Sequence, residues 1–145
     1  MTTVREQWLE TAIELMKPHF TESIPGVEFP KVRVSVGWPG GKSGPRTIGQ
    51  CWAPFTAADN VSQIFISPVL DDPILVLATL AHELIHAIDE NKSGHKGAFG
   101  VMARAIGLEG RLTATVPGET LSAVLATILE KLGAYPHAAI VLVPA

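Results

Sequence analysis

Apolar residues follow helical spacing in two long stretches of the chain. Residues 4–17 carry them on one face, which predicts an amphipathic helix that ends at Pro18. Asp72 followed by Pro73 is typical of a helix start, because aspartate accepts hydrogen bonds from free backbone N–H groups and proline suits the first helical position. Apolar residues three and four apart then continue this second helix to about Asn91.

Shorter stretches predict two more helices and a set of strands. Helices are expected over 97–106 and over 119–132, and a glycine follows each of them. Alternation of polar and apolar residues, or a short apolar run, indicates a strand. The predicted strands span 31–36, 48–53 and 63–67, with a further short strand at 139–143.

Together these elements favour an α+β fold, with residues 1–145 as a single domain. The expected architecture begins with an N-terminal helix. A short, mainly antiparallel sheet of about three strands follows it. The central helix comes next, and further helices complete the chain.

Composition narrows the classes of protein that the chain can belong to. The 145 residues are 47% hydrophobic and 17% charged, which excludes a disordered chain and allows one buried core. The formal net charge is −3, so the chain as a whole does not attract nucleic acid. Cys51 is the single cysteine, which excludes an internal disulfide and a zinc ribbon, and it is interpreted as a small core residue.

Neither a secretory signal nor a membrane-spanning segment is evident in the sequence. Charges are spread along residues 1–17, unlike the apolar centre of a signal peptide. The longest apolar stretch, 74–88, contains His82, Glu83 and His86 near its centre and is too short to cross a bilayer. We therefore expect a cytoplasmic protein without a membrane partner.

The central helix carries the sequence His82-Glu83-Leu84-Ile85-His86, an HExxH motif. Histidines four residues apart lie one helical turn apart on the same face, so both imidazoles can reach one zinc ion. Glu83 lies about 100° around the helix from His82, where its carboxylate can take a proton from a water activated by zinc. The motif therefore predicts His82 and His86 as metal ligands and Glu83 as the catalytic base.

A catalytic zinc site needs a third protein ligand. The metzincin pattern HExxHxxGxxH is excluded, because Asp89 and Lys92 occupy its glycine and third-histidine positions. His95 is the preferred third ligand, since it follows His86 by nine residues and lies just beyond a Ser-Gly break where the chain can fold back. Glu109 remains the reserve ligand, as the only later acid at a plausible distance.

The residues around these histidines resemble a known family. The run that starts at His82, followed by Gly94, His95 and Phe99, is similar to the SprT-like zinc metallopeptidases, the group that includes Spartan. In that family a third ligand histidine follows HExxH and precedes an aromatic residue of the next helix. This chain keeps the histidine-to-aromatic spacing, although its glycine lies one place later, at Gly97.

The resemblance covers roughly residues 48–108, including the strand and proline of Ile64–Pro68. It implies a zincin-like fold, a zinc cofactor and cleavage of protein or peptide substrates, which in some members are bound or crosslinked to DNA. The zinc ribbon that often follows the family's peptidase core is absent. The alternative function is a catalytically silent SprT-like binding module that retains zinc, and the intact Glu83 argues against it.

A DNA partner has one local candidate, a segment between Glu28 and Asp59 that contains no acidic residue. Its basic and tryptophan residues are Lys31, Arg33, Trp38, Lys42, Arg46 and Trp52. Such residues can bind single-stranded DNA by stacking and charge. A solvated hairpin with core tryptophans is the more common interpretation.

Other roles are less closely specified by the sequence. An extended substrate would pair with an edge strand, for which 63–67 is the candidate. Tyr135 and His137 are candidate donors to the developing oxyanion. Asp89 and Glu90 are candidates to orient a ligand imidazole, although exposed helix acids are more common.

Overall fold

A computed structural model describes residues 4–39 and 47–142. Within these residues the fold is α+β, with four helices and a small mixed sheet of three strands. The helices are α1 (Arg5–Ser23), α2 (Pro73–Ile88), α3 (Ala98–Ile106) and α4 (Glu119–Leu132). The strands are β1 (Val32–Val36), β2 (Gly49–Trp52), β3 (Ser62–Ile66), β4 (Leu108–Glu109) and β5 (Val116–Pro117).

The three-stranded sheet has the order β1-β3-β2. β1 pairs with β3 in parallel, whereas β2 pairs with β3 in antiparallel orientation. The expectation of a mainly antiparallel sheet is therefore wrong, and the sheet is mixed. The proposed edge at 63–67 is also wrong, because β3 has a strand on each side. A short apolar run such as Ile64-Phe65-Ile66 is typical of a buried central strand.

Helix α1 continues past Pro18, where the sequence predicts its end, and reaches Ser23. Proline removes one backbone hydrogen bond from a helix interior, which disfavours this continuation. Phe20 accounts for it, because its ring is only 1% exposed and packs edge-to-face against Phe29, with ring centroids 5.6 Å apart. Burial of this ring favours formation of the last turn and offsets part of the cost of the proline.

Helix α2 begins where the sequence predicts. Asp72 is its N-cap, and the carboxylate accepts from the backbone N–H of Ile74 at 3.1 Å. The helix ends at Ile88, three residues before the predicted limit, because Glu90 and Asn91 adopt left-handed conformations with φ of 52° and 57°. The resulting turn leads directly to the segment that carries His95. Most of α2 is buried between the sheet and the other helices.

The C-terminal part of the described chain contains no strand over 139–142, so the prediction of a strand there is wrong; Val143 lies outside the described residues. Instead, the Ile140 N–H donates to the Pro68 carbonyl at 2.9 Å, which anchors the segment without a ladder. Within the described ranges, no helix combines the length and apolar character needed to cross a bilayer.

Candidate metal centre

His82 and His86 lie on one face of α2, as their spacing predicts. Their ring centroids are 5.1 Å apart, which is the separation expected for side chains one helical turn apart. His86 is buried, with 9% of its surface exposed. Phe99 of α3 stacks on the His86 ring at 4.1 Å and contacts the His82 ring edge-on at 5.1 Å. One aromatic side chain therefore supports both imidazoles.

His95 joins these two histidines from the segment between α2 and α3. Its Nε2 lies 3.1 Å from the His86 Nε2, and its ring contacts Phe99 edge-on at 5.3 Å. One ligand atom from each of His82, His86 and His95 lies within 4.8 Å of the others. The structure therefore brings together the three residues that the sequence selects as ligands.

The chemistry of this cluster fits a metal ion. Nitrogen ligands about 2.0–2.1 Å from a tetrahedral ion lie about 3.3 Å apart, close to the observed 3.1 Å between His86 and His95. Burial, followed by the neighbouring histidines, lowers the pKa of His86 to about 3. Burial, followed by His95, lowers the pKa of His82 to about 4. Both rings are therefore neutral at pH 7, which is the form that binds metal.

The turn that carries His95 is fixed by Asp89. Its carboxylate accepts from the backbone N–H of Ser93 at 2.7 Å and from the Ser93 hydroxyl at 2.9 Å. Asn91 adds a second anchor, because its side-chain amide donates to the Cys51 carbonyl of β2 at 2.7 Å. Asp89 thus orders the backbone before His95. The sequence suggested either that it orients an imidazole or that it is an exposed helix acid, and both are wrong because its side chain is buried against Ser93.

The imidazole of His82 is oriented by Thr115, a residue that the sequence did not indicate. The Thr115 hydroxyl lies 2.7 Å from the His82 Nδ1. This contact occupies one ring nitrogen, so the Nε2 remains for a metal. Thr115 lies 33 positions away along the chain, in the loop between β4 and β5, and no local pattern connects the two residues.

Replacement of Thr115 by valine is expected to weaken the binding of a metal such as zinc by about 10- to 100-fold, because the nearly isosteric side chain removes the hydroxyl that orients His82. Competition with a chromophoric chelator measures the affinity. Thr115→Ser keeps the hydroxyl and should bind zinc nearly as tightly as the wild type. Equal affinity in the valine variant would show that the contact does not position the ligand.

Glu83 lies beside β2 and is 6% exposed. Burial raises the pKa of its carboxyl group to about 8. The close approach of α2 to β2 depends on Gly49, since a Cβ there would lie 2.6 Å from the Thr79 Cγ2 and 2.9 Å from the Glu83 Oε2. Nearby, burial and then the charge of Glu83 raise the pKa of Cys51 to about 12, so its thiol stays neutral.

Three other candidates lie away from the cluster. Glu109, the reserve ligand, is exposed on β4 and lies outside the histidine cluster. Tyr135 packs against Trp8, with ring centroids 4.8 Å apart, and His137 contacts the Pro68 carbonyl at 2.7 Å. Neither side chain lines the cleft over the histidines, so the suggestion that one of them stabilises the oxyanion is wrong.

Glu90 and Arg33 each form an ion pair at the surface, and for Glu90 this agrees with the more common interpretation as an exposed acid. Glu90 pairs with Lys92 at 3.5 Å on the surface and orients no imidazole. Arg33 forms an ion pair with Asp59. Lys42 and Arg46, on which much of the basic patch depended, lie outside the described residues.

A cleft of about 760 Å³ opens over the histidine cluster. One wall comes from β2 and the residues before it, and the other comes from residues 113–117, which are the end of the β4–β5 loop and β5 itself. The face of α2 that carries Glu83 forms the floor. Concave sites of this size with a few convergent polar groups are typical of ligand or substrate binding.

No protein-family model, curated protein or solved structure matches this chain. The assignment of the site therefore depends on its own geometry and chemistry.

Proposed function

We propose that this protein is a zinc-dependent peptidase in which His82, His86 and His95 hold the metal and Glu83 is the general base. The observation that carries the proposal is the convergence of three imidazole nitrogens within 4.8 Å of one another, beside a buried carboxyl group. Three protein ligands with one open position are typical of catalytic zinc. The resemblance of this segment to the SprT-like metallopeptidases supports the same function.

Glu83 is suited to move a proton in this reaction. Zinc, when bound, supplies a Lewis acid that polarises the scissile carbonyl and favours loss of a proton from water. Glu83 accepts that proton and later delivers it to the leaving amine. Burial raises the pKa of the Glu83 carboxyl group to about 8. A bound zinc ion would favour the ionised carboxylate and so lower this pKa. These opposing effects allow proton uptake and release near neutral pH.

β2 is the edge on which an extended substrate would pair. The Ser67 N–H donates to the Ile48 carbonyl at 2.9 Å, so alternate residues from Ile48 onward direct their backbone groups toward β3. The backbone N–H and C=O groups of Gly49 and Cys51 point toward the open edge of β2. At that edge the Asn91 side chain already contacts the Cys51 carbonyl. A peptide added to this edge would therefore form its backbone hydrogen bonds at Gly49, beside the metal centre.

The proposed substrates are proteins and peptides in general, and not specifically proteins that are bound to DNA. Family resemblance suggests such proteins as substrates, but Arg33 of the basic segment is already paired with Asp59. The purified protein assayed with and without single-stranded DNA tests this point. A rise in cleavage with DNA would extend the substrate class.

The zinc-loaded protein is expected to hydrolyse denatured casein and quenched fluorescent peptides. Metal analysis should find about one zinc per chain, because the cluster offers one set of three ligands. EDTA should abolish hydrolysis, and stoichiometric zinc should restore it. A chain purified without zinc, or hydrolysis that persists in EDTA, would contradict the proposal.

A further inference from the structure

We infer that the cleft selects peptides with large apolar side chains within about three residues of the scissile bond. This inference rests on the proposed function and names the substrate class of the same site. It rests on four exposed apolar residues that line the cleft: Ile48 is 45% exposed, Trp52 39%, Leu75 40% and Val116 55%. Apolar side chains exposed in a concave site favour binding of an apolar group.

Ile48, Leu75 and Val116 all line the cleft, and Leu75 marks how far it extends from the metal centre. Leu75, Thr79 and Glu83 are four residues apart on α2 and share one face, so Leu75 lies about 12 Å along the helix axis from Glu83. This distance corresponds to about three residues of an extended peptide. Leu75 therefore forms the floor of the groove at the end remote from the metal.

Ile48 and Val116 form the two walls, and each is adjacent to a residue that contacts the site. Ile48 precedes Gly49, whose backbone lies against Glu83. Val116 follows Thr115, which contacts His82. Gly49 faces α2, so Ile48 faces the other side of the sheet, and a substrate paired on the β2 edge would place the side chains that point away from α2 beside Ile48. Val116 lines the opposite side of the cleft.

Away from the metal ligands, the described side chains of the cleft offer no positive charge that would favour an acidic group. Among the described residues that line it there is no lysine or arginine, and the ionisable side chains are Asp72, Glu83, the three histidines and Cys51, whose thiol stays neutral. The Asp72 carboxylate is engaged at the start of α2, where it accepts from the Ile74 N–H. A phosphate or an acidic side chain would find no cationic side chain there, whereas burial of a leucine or phenylalanine side chain is favourable.

A set of quenched fluorescent peptides tests the inference, with members that differ only at positions flanking the scissile bond. We expect kcat/KM for leucine and phenylalanine peptides to exceed that for aspartate, lysine and glycine peptides by about tenfold or more. Val116→Lys should lower the rate for apolar peptides and raise it for aspartate peptides, because it places a cation in the wall. Ile48→Lys should change these two rates in the same directions. Agreement between the two variants would show that the effect does not come from a local disturbance at position 116.

Val101→Lys is the matched control. Val101 is 72% exposed on α3 and does not line the cleft, so the same change there should leave both rates and the peptide preference as in the wild type. Equal cleavage of all peptides by the wild type would overturn the inference while leaving the proposed peptidase function intact. A shift of the peptide preference in Val101→Lys that is as large as the shift in Val116→Lys would also overturn the inference.

Peptide binding provides a readout that does not require turnover. Fluorescence anisotropy with the Glu83→Gln protein should show tighter binding of apolar than of aspartate peptides, and Val116→Lys added to it should reverse the order. If the wild type cleaves no peptide, the proposed function fails, and this binding order alone decides the inference. A second copy of the chain that fills the groove would overturn the inference, and it would appear as a dimer in sedimentation that Val116→Lys dissociates.

Discussion

Replacement of Glu83 by glutamine is expected to abolish peptide hydrolysis and to leave zinc binding unchanged. The amide has nearly the same size and shape as the carboxyl group, so the 6% exposed side chain still fits beside Gly49. It cannot accept a proton from water, however, and loss of a general base costs about 100- to 10,000-fold in rate. Peptide hydrolysis measures the first effect, and metal analysis measures the second.

Glu130→Gln is the control for this experiment, because Glu130 is exposed on α4, away from the cleft. It should hydrolyse peptides as the wild type does. The alternative function, a binding module that retains zinc without cutting, predicts that the wild type and Glu83→Gln behave alike. That result would exclude Glu83 as the base.

Replacement of His95 by alanine is expected to cause the largest loss of metal affinity for the smallest loss of stability. His95 is exposed, so its removal leaves the core intact. Its Nε2, however, lies 3.1 Å from that of His86 and completes the set of three ligands. Loss of a ligand should exceed the 10- to 100-fold effect of residues that only orient ligands, so we expect a loss of more than about 100-fold.

Chelator competition measures the affinity in this experiment, and thermal unfolding in EDTA measures the stability of the metal-free protein. Lys96→Ala, at the neighbouring exposed position, should bind zinc as the wild type does. Wild-type affinity in His95→Ala would remove His95 from the ligand set. In that case the resemblance to the SprT-like family would lose its most specific residue.

Sequence patterns predicted the elements that depend on neighbouring residues. The Asp72 cap, the start of α2 and the span of α4 match the expectations from spacing and capping. The proximity of His82 and His86 follows from helical geometry in the same way. Sequence patterns did not predict the order and direction of the strands. β1 pairs with β3 in parallel although 25 residues, Gly37–Val61, lie between them in the sequence.

The amino-acid sequence by itself determined which residues are the candidates for a metal site: an HExxH segment on a capped helix and a histidine beyond its end. Tertiary structure alone decided what surrounds them. Thr115 reaches His82 from a distant loop, Gly49 allows β2 to approach Glu83, and buried Phe20 extends α1 past its proline. The physical reason is that caps and helical spacing act over a few residues, whereas these contacts depend on how separate elements pack.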